Sequence, residues 1–190
     1  NGQLGTNSED IANTFRWIRL EPRPGTDQIA FIGSATDGAT SDSAVLSAAI
    51  WNGATNTFGS KQTLSLPVSG PDGVTPQNPH VTDGIDIDFV LGGTNAGEAV
   101  AVWGTQTRLW RRIWNPGTGW GTNASVQDLG AGNTLRWIRQ KAASNGDDLI
   151  LALGDTNERI YTIRYDGNTR AFASFTAVPH TTTAYGNADQ

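Results

Sequence analysis

The chain has 190 residues, room for one large domain or two small ones, with 37% hydrophobic residues and 23 glycines. Charged residues reach only 16% and the formal net charge is -5, so no basic stripe exists to attract a phosphate backbone, which excludes nucleic-acid binding. With no cysteine there is no disulfide staple, thiolate metal site or Cys nucleophile, and no apolar run reaches the roughly eighteen residues of a membrane span.

The first residues carry neither an initiator Met nor a charged-then-apolar leader, which reads as a processed product or a piece of a longer chain. Gly5-Thr6-Asn7-Ser8 matches Gly121-Thr122-Asn123-Ala124-Ser125, so residues 1–13 read as the last strand of a preceding unit. Four short strands are predicted next, over Arg16–Leu20, Gln28–Ile32, Val45–Trp51 and Phe58–Leu64, which places a first unit at 14–77. Asn52-Gly53 between the last two supplies the positive φ angles of a two-residue hairpin.

A second unit, 78–132, opens on Pro79-His80 and the strand Ile85-Asp86-Ile87-Asp88-Phe89. It continues through Glu98–Gly104, then Leu109–Trp114, the turn Asn115-Pro116-Gly117 and a return strand at Trp120. A third unit, 133–178, repeats the first. Asn13-Thr14-Phe15-Arg16-Trp17-Ile18-Arg19 returns as Asn133-Thr134-Leu135-Arg136-Trp137-Ile138-Arg139, six matches in seven at a displacement of 120. Asp27–Gly33, Glu98–Gly104 and Asp148–Gly154 align as an acid, five mostly apolar residues and a glycine, a strand buried on both faces. Ile160 to Tyr165 with Asp166-Gly167 and the return at Phe172 complete the unit, and Pro179-His180 opens a further one at 179–190.

No stretch shows a sustained helical period. Four antiparallel strands in about fifty residues, repeated, are the signature of a β-propeller blade, so the fold class is all-β with about three full blades and partial blades at both ends. Arg-Trp-Ile-Arg blades alternate with Ile-Asp-Ile-Asp blades. An unfinished blade leaves open strand edges, which calls for copies of the chain or adjacent repeats of a longer one as partners, the longer chain being preferred.

Candidate functional residues follow from the repeat. If first strands line the propeller axis, Arg16 and Arg136 lie near Asp86 on adjacent blades, and Arg–Asp pairing would set blade order. Trp51, Trp114 and Trp120 recur at repeat positions and read first as packing. A second, lectin-like reading stacks sugars on Trp51, Trp114, Trp120 and Tyr165, with Asn52, Asn115 and Asp166 holding hydroxyls and glycans as partners. No cofactor or metal is expected. Calcium would fall to Asp83, Asp86 and Asp88 or to Asp37 and Asp42, none of which has EF-hand spacing. His80 and His180 occupy equivalent turns after Pro, Asn123-Ala124-Ser125 is the lone glycosylation sequon, and no catalytic motif occurs. A propeller glycoside hydrolase ranks third and the chain is expected not to be an enzyme.

The alternation of Arg-Trp-Ile-Arg-Leu with Asp-Ile-Asp-Phe units, each ending on Trp-Asn hairpins, resembles bacterial extracellular proteins built from tandem propeller-like repeats. The resemblance implies a surface or fibre location and a structural role, without catalytic residues. Tyr165 and Asp166-Gly167 depart from the Trp-Asn pattern.

Overall fold

The computed structural model describes residues 14–36, 44–64, 84–105, 108–130, 135–144, 146–174 and 176–178. Within them the secondary structure is all β, in three antiparallel sheets that follow one another along the chain. Among these residues no helix is long and apolar enough to cross a membrane.

Blade 1 holds β1 (Thr14–Pro22), β2 (Gln28–Thr36), β3 (Ala44–Asn52) and β4 (Thr57–Leu64), paired in chain order. Blade 2 holds β5 (Ile85–Phe89), β6 (Ala99–Thr105), β7 (Arg108–Asn115), β8 (Gly119–Trp120) and β9 (Ala124–Asp128). Blade 3 holds β10 (Leu135–Ala142), β11 (Asp148–Asp155), β12 (Ile160–Asp166), β13 (Ala171–Phe172) and β14 (Thr176–Val178). In blade 2 both β8 and β9 pair with β7, and in blade 3 both β13 and β14 pair with β12. Each pair is therefore one interrupted fourth strand. Blade 1 breaks at the same place, where the register slips between Ala48 and Ile50 and Ser60 takes φ 49°. The four-strand plan read from the sequence holds in all three blades. The proposed unit boundaries near 77, 132 and 178, and both partial blades, fall outside the described residues or at their limits.

Register superimposes the blades. Ile18 pairs with Gly33, Ile85 with Trp103 and Ile138 with Leu153, so the three isoleucines occupy one position. The alignment of Asp27–Gly33 with Asp148–Gly154 is one residue off in blade 1: Trp17 faces Ser34 where Trp137 faces Gly154, so Gln28 matches Asp148. A one-residue slip would swap the two faces of the strand, and the pairing against Trp17 and Trp137 fixes the choice. Asp27 and Asp147 instead sit in the preceding turns, where their carbonyls accept the N–H of Gly53 and Gly167, each at 2.7 Å.

The hairpins also differ from the two-residue expectation. β3 and β4 are joined by residues 53–56, and the left-handed residue is Asn56 at φ 52°. Gly119 at φ 80° and Arg170 at φ 54° play that part in blades 2 and 3. Gly53 and Gly167 are there for space. A Cβ on Gly53 would come within 2.7 Å of the Asp27 side chain, and one on Gly167 would strike the Asp147 carbonyl and come within 2.6 Å of Val90.

The blades pack face to face. Call the front of a blade the face toward the preceding one. Ile85, Ile87, Phe89, Trp103 and Trp114 on the front of blade 2 pack against Ala30, Ile32, Leu46 and Ile50 on the back of blade 1. Val100, Val102 and Leu109 on the back of blade 2 meet Ile138, Leu149, Leu151, Leu153 and Tyr165 on the front of blade 3. Blade 2 is buried on both faces, which explains why every residue of β6 is buried. β11 alternates instead, with Ile150 exposed on the back of blade 3. The first strands β1, β5 and β10 neighbour one another at the inner side, as propeller blades arranged about an axis require.

Candidate functional site

An inner strand has one edge paired within its own blade and one edge open, where alternate N–H and C=O groups point away from the sheet. Buried backbone groups of this kind need partners. In blade 2 the Asp-Ile-Asp run supplies them. Asp86 accepts the N–H of Ile87 on Oδ1 (2.9 Å) and that of Gln140 in blade 3 on Oδ2 (2.6 Å). Asp88 does the same with Phe89 (2.7 Å) and Ala142 (2.8 Å). Each carboxylate thus links the open edge of its own strand to the open edge of the next blade. The Gln140 amide group adds a bond to the Val100 carbonyl at 2.6 Å.

Arg-type blades use the opposite chemistry. Arg19 donates to the carbonyl of Ile18 (3.0 Å) and Arg139 to that of Ile138 (2.6 Å), so a cation covers an edge carbonyl where an anion covers an edge N–H. Asp86 shares its register position with Arg19 and Arg139, and both guanidinium charges act on it. Arg16 and Arg136, singled out from the sequence for this pairing, are the extra residues of two β-bulges, between Phe15 and Trp17 and between Leu135 and Trp137. They lie three residues before the register position of Asp86. Two positions further on, Lys141 forms an ion pair with Glu21 and lies 3.8 Å from Asp88, three equivalent residues from three blades.

Burial dominates the electrostatics. It pushes the Asp86 carboxyl up to about 6, against the amides of Gln140 and Ile87 and the charges of Arg19 and Arg139. Asp88 is raised for the same reason, with Glu21 adding to the effect and Lys141 opposing it. The Lys141 ammonium is raised, chiefly by its hydrogen bond to Glu21.

A second seam joins blades 2 and 3 near the hairpins. Glu98, 1% exposed, takes two bonds from Arg170, Nε to Oε2 at 3.0 Å and Nη2 to Oε1 at 2.5 Å. Asn115 donates to the same Oε1 at 2.7 Å. Around this pair Asn95 donates to the Gly167 carbonyl (2.6 Å) and Asn168 accepts the Thr94 N–H (2.8 Å). Across the other junction Trp120 donates from its indole N–H to the Ser60 carbonyl at 2.5 Å.

These bonds correct the sugar-binding arrangement. Trp114 is 4% exposed and Tyr165 0%, so neither ring offers a face to a pyranose. Tyr165 packs on Phe172 at 4.8 Å between centroids, and burial pushes its phenol up to about 12. Trp51 and Trp120 are half-buried. Asn52, Asn115 and Asp166 each accept an N–H two residues on, from Ala54 (3.0 Å), Gly117 (2.8 Å) and Asn168 (2.9 Å). They are turn formers. Asn52→Ala is expected to lower stability by about 1 kcal/mol or less in urea denaturation, the value of one turn hydrogen bond.

Asp147, Asp148 and Asp166 place carboxylate oxygens within 4.8 Å of one another. Asn168 donates to Asp147 and Arg164 pairs with Asp148 at 2.8 Å, so protein donors already serve this cluster. Asp37, Asp42, Asp83, His80 and His180 lie outside the described residues. Asn123 lies in the break between β8 and β9.

No family model and no curated protein matches the chain. Among solved structures it is similar to the β-propeller domain of the Trilobed protease from Pyrococcus furiosus, at 10% identity and a TM-score of 0.48. The match covers 88% of this chain and 44% of that one, so this chain spans less than half the length of that structure. The fold assignment rests on the three sheets and their pairing.

Proposed function

We propose that the chain is a structural repeat unit of an extracellular or cell-surface assembly built from propeller blades, of the kind carried by bacterial tandem-repeat proteins. In this reading it performs no catalysis, and its partners are further blades. One observation carries the proposal: of the four buried acids among the described residues, three are committed to joining blades and Asp155 to a turn of its own blade. Asp86 and Asp88 accept backbone N–H groups from two blades, and Glu98 is closed by Arg170 and Asn115. A protein selected for a ligand leaves part of its buried polar chemistry facing a cleft. Here Asp86, Asp88 and Glu98 face the seams.

Electron microscopy of the material from its natural source tests this reading. Rods, rings or surface arrays of propeller-sized units are the expected result. Dispersed single-chain particles would sink the proposal.

A further inference from the structure

We infer that the front of blade 1 is a docking surface for another blade of the Asp-Ile-Asp type. The inference rests on the structural-unit reading and names the partner of that unit. The fronts of blades 2 and 3 are each covered by the back of the blade before them, and Ile85 and Ile138 there are 0% exposed. The same position in blade 1 is Ile18, at 46%. Leu20 beside it is 58% exposed, where its equivalents Ile87 and Gln140 are 1% and 7%. Phe58, edge-on to Phe31 with ring centroids 6.1 Å apart, is 42% exposed on the same face. Large apolar side chains left open on the face that is a buried interface in both sister blades mark a continuation of that interface.

The type of the occupant follows from β1. It is the 120-residue copy of β10, with the same bulge and the same register against its second strand. Its Leu20 N–H therefore points out of the open edge as that of Gln140 does, and Gln140 is held by Asp86 of an Asp-type blade. The next outward N–H in blade 3 belongs to Ala142 and is held by Asp88; in blade 1 the residue is Pro22, which has none to offer. An Arg-type blade would bring a guanidinium, a donor, against the Leu20 N–H and beside Arg19. An Asp-type blade brings an acceptor and the opposite charge.

The test compares the full chain with a fusion in which a copy of residues 78–132 replaces residues 1–12, directly ahead of Asn13. Amide hydrogen exchange at Leu20 is the readout. Protection in the fusion should rise about a hundredfold toward that of Gln140, and Asp86→Asn in the added copy should remove most of the gain. Ile18→Asp should leave the melting temperature of the unaltered chain unchanged and lower that of the fusion. Three results would overturn the inference: unchanged exchange at Leu20, an added blade that stays unfolded, or a Leu20 amide already protected in the unaltered chain. In the last case sedimentation separates a second copy, seen as a dimer, from a segment of the same chain. Failure here with native assemblies still visible would leave the structural reading in place, whereas dispersed native particles together with Leu20 protection gained only in the fusion would do the reverse.

Discussion

Arg170→Ala is expected to cost about 3 kcal/mol of folding stability, most of it through Glu98. The Glu98 carboxylate is almost fully buried, and two of its three hydrogen bonds come from Arg170. Removing one partner of a buried pair typically costs about 3–5 kcal/mol, and the half-exposed Arg170 side chain puts this pair at the low end because water can approach from that side. Arg170 sits at φ 54°, but alanine meets the same backbone strain, so that contribution largely cancels. The diagnostic is a double-mutant cycle in urea. With Glu98→Gln in the background, Arg170→Ala should lose at least about 1 kcal/mol of its effect, because no buried anion is stranded. Equal costs in both backgrounds would show that the seam is held by packing and not by charge.

Asp86 should make the folded state more stable in mild acid, opposite to the usual behaviour of a paired carboxylate. Its folded value of about 6 lies above the ordinary 3.8, so the folded state holds its proton where the unfolded chain has released it. The stability this group contributes is fully present below 3.8 and is lost as pH rises through 6. Between pH 7 and pH 4 the change amounts to about 2 kcal/mol. Asp86→Asn removes the titration and keeps the shape, at the expense of one amide facing an NH2 group. The stability of the wild type minus that of the variant should therefore grow by about 2 kcal/mol on acidification from pH 7 to pH 4. A constant difference would mean that the Asp86 carboxyl titrates alike in the folded and unfolded states.

Much of the blade plan was legible because strand, turn and return strand recur with their hydrophobic spacing. The Trp-Asn and Tyr-Asp pairs located every third-to-fourth strand hairpin, although the turn itself was misread. Asn-Gly suggests a two-residue turn, whereas Gly53 and Gly167 are set by the close approach of Asp27 and Asp147, which lie in other loops. That the inner strands carry opposite charges was legible, but not which residues share the register position of Asp86. Arg16 and Arg136 sit in a bulge that leaves no mark on composition, and the register gives the position of Asp86 to Arg19 and Arg139, three residues further on. Least visible was the clasp of Glu98 by Arg170. The two residues are separated by 72 positions and have no counterparts of like charge in blade 1, where Gln28 and Asn56 stand instead. Only the packing of two blades brings them together.

The interrupted fourth strands bear on how such a chain survives at high local concentration. A continuous outer strand would offer neighbouring molecules a template for cross-β growth. Here every rim is broken a few residues into the strand, at Ser60, between β8 and β9, and between β13 and β14. The remaining ladder segments are too short and too kinked to recruit a foreign strand in register. In the structural-unit reading proposed above, blades can then add through their faces while lateral fibrillation is suppressed. Closing one of these gaps, so that the rim becomes a single straight strand, would expose an edge for cross-β growth.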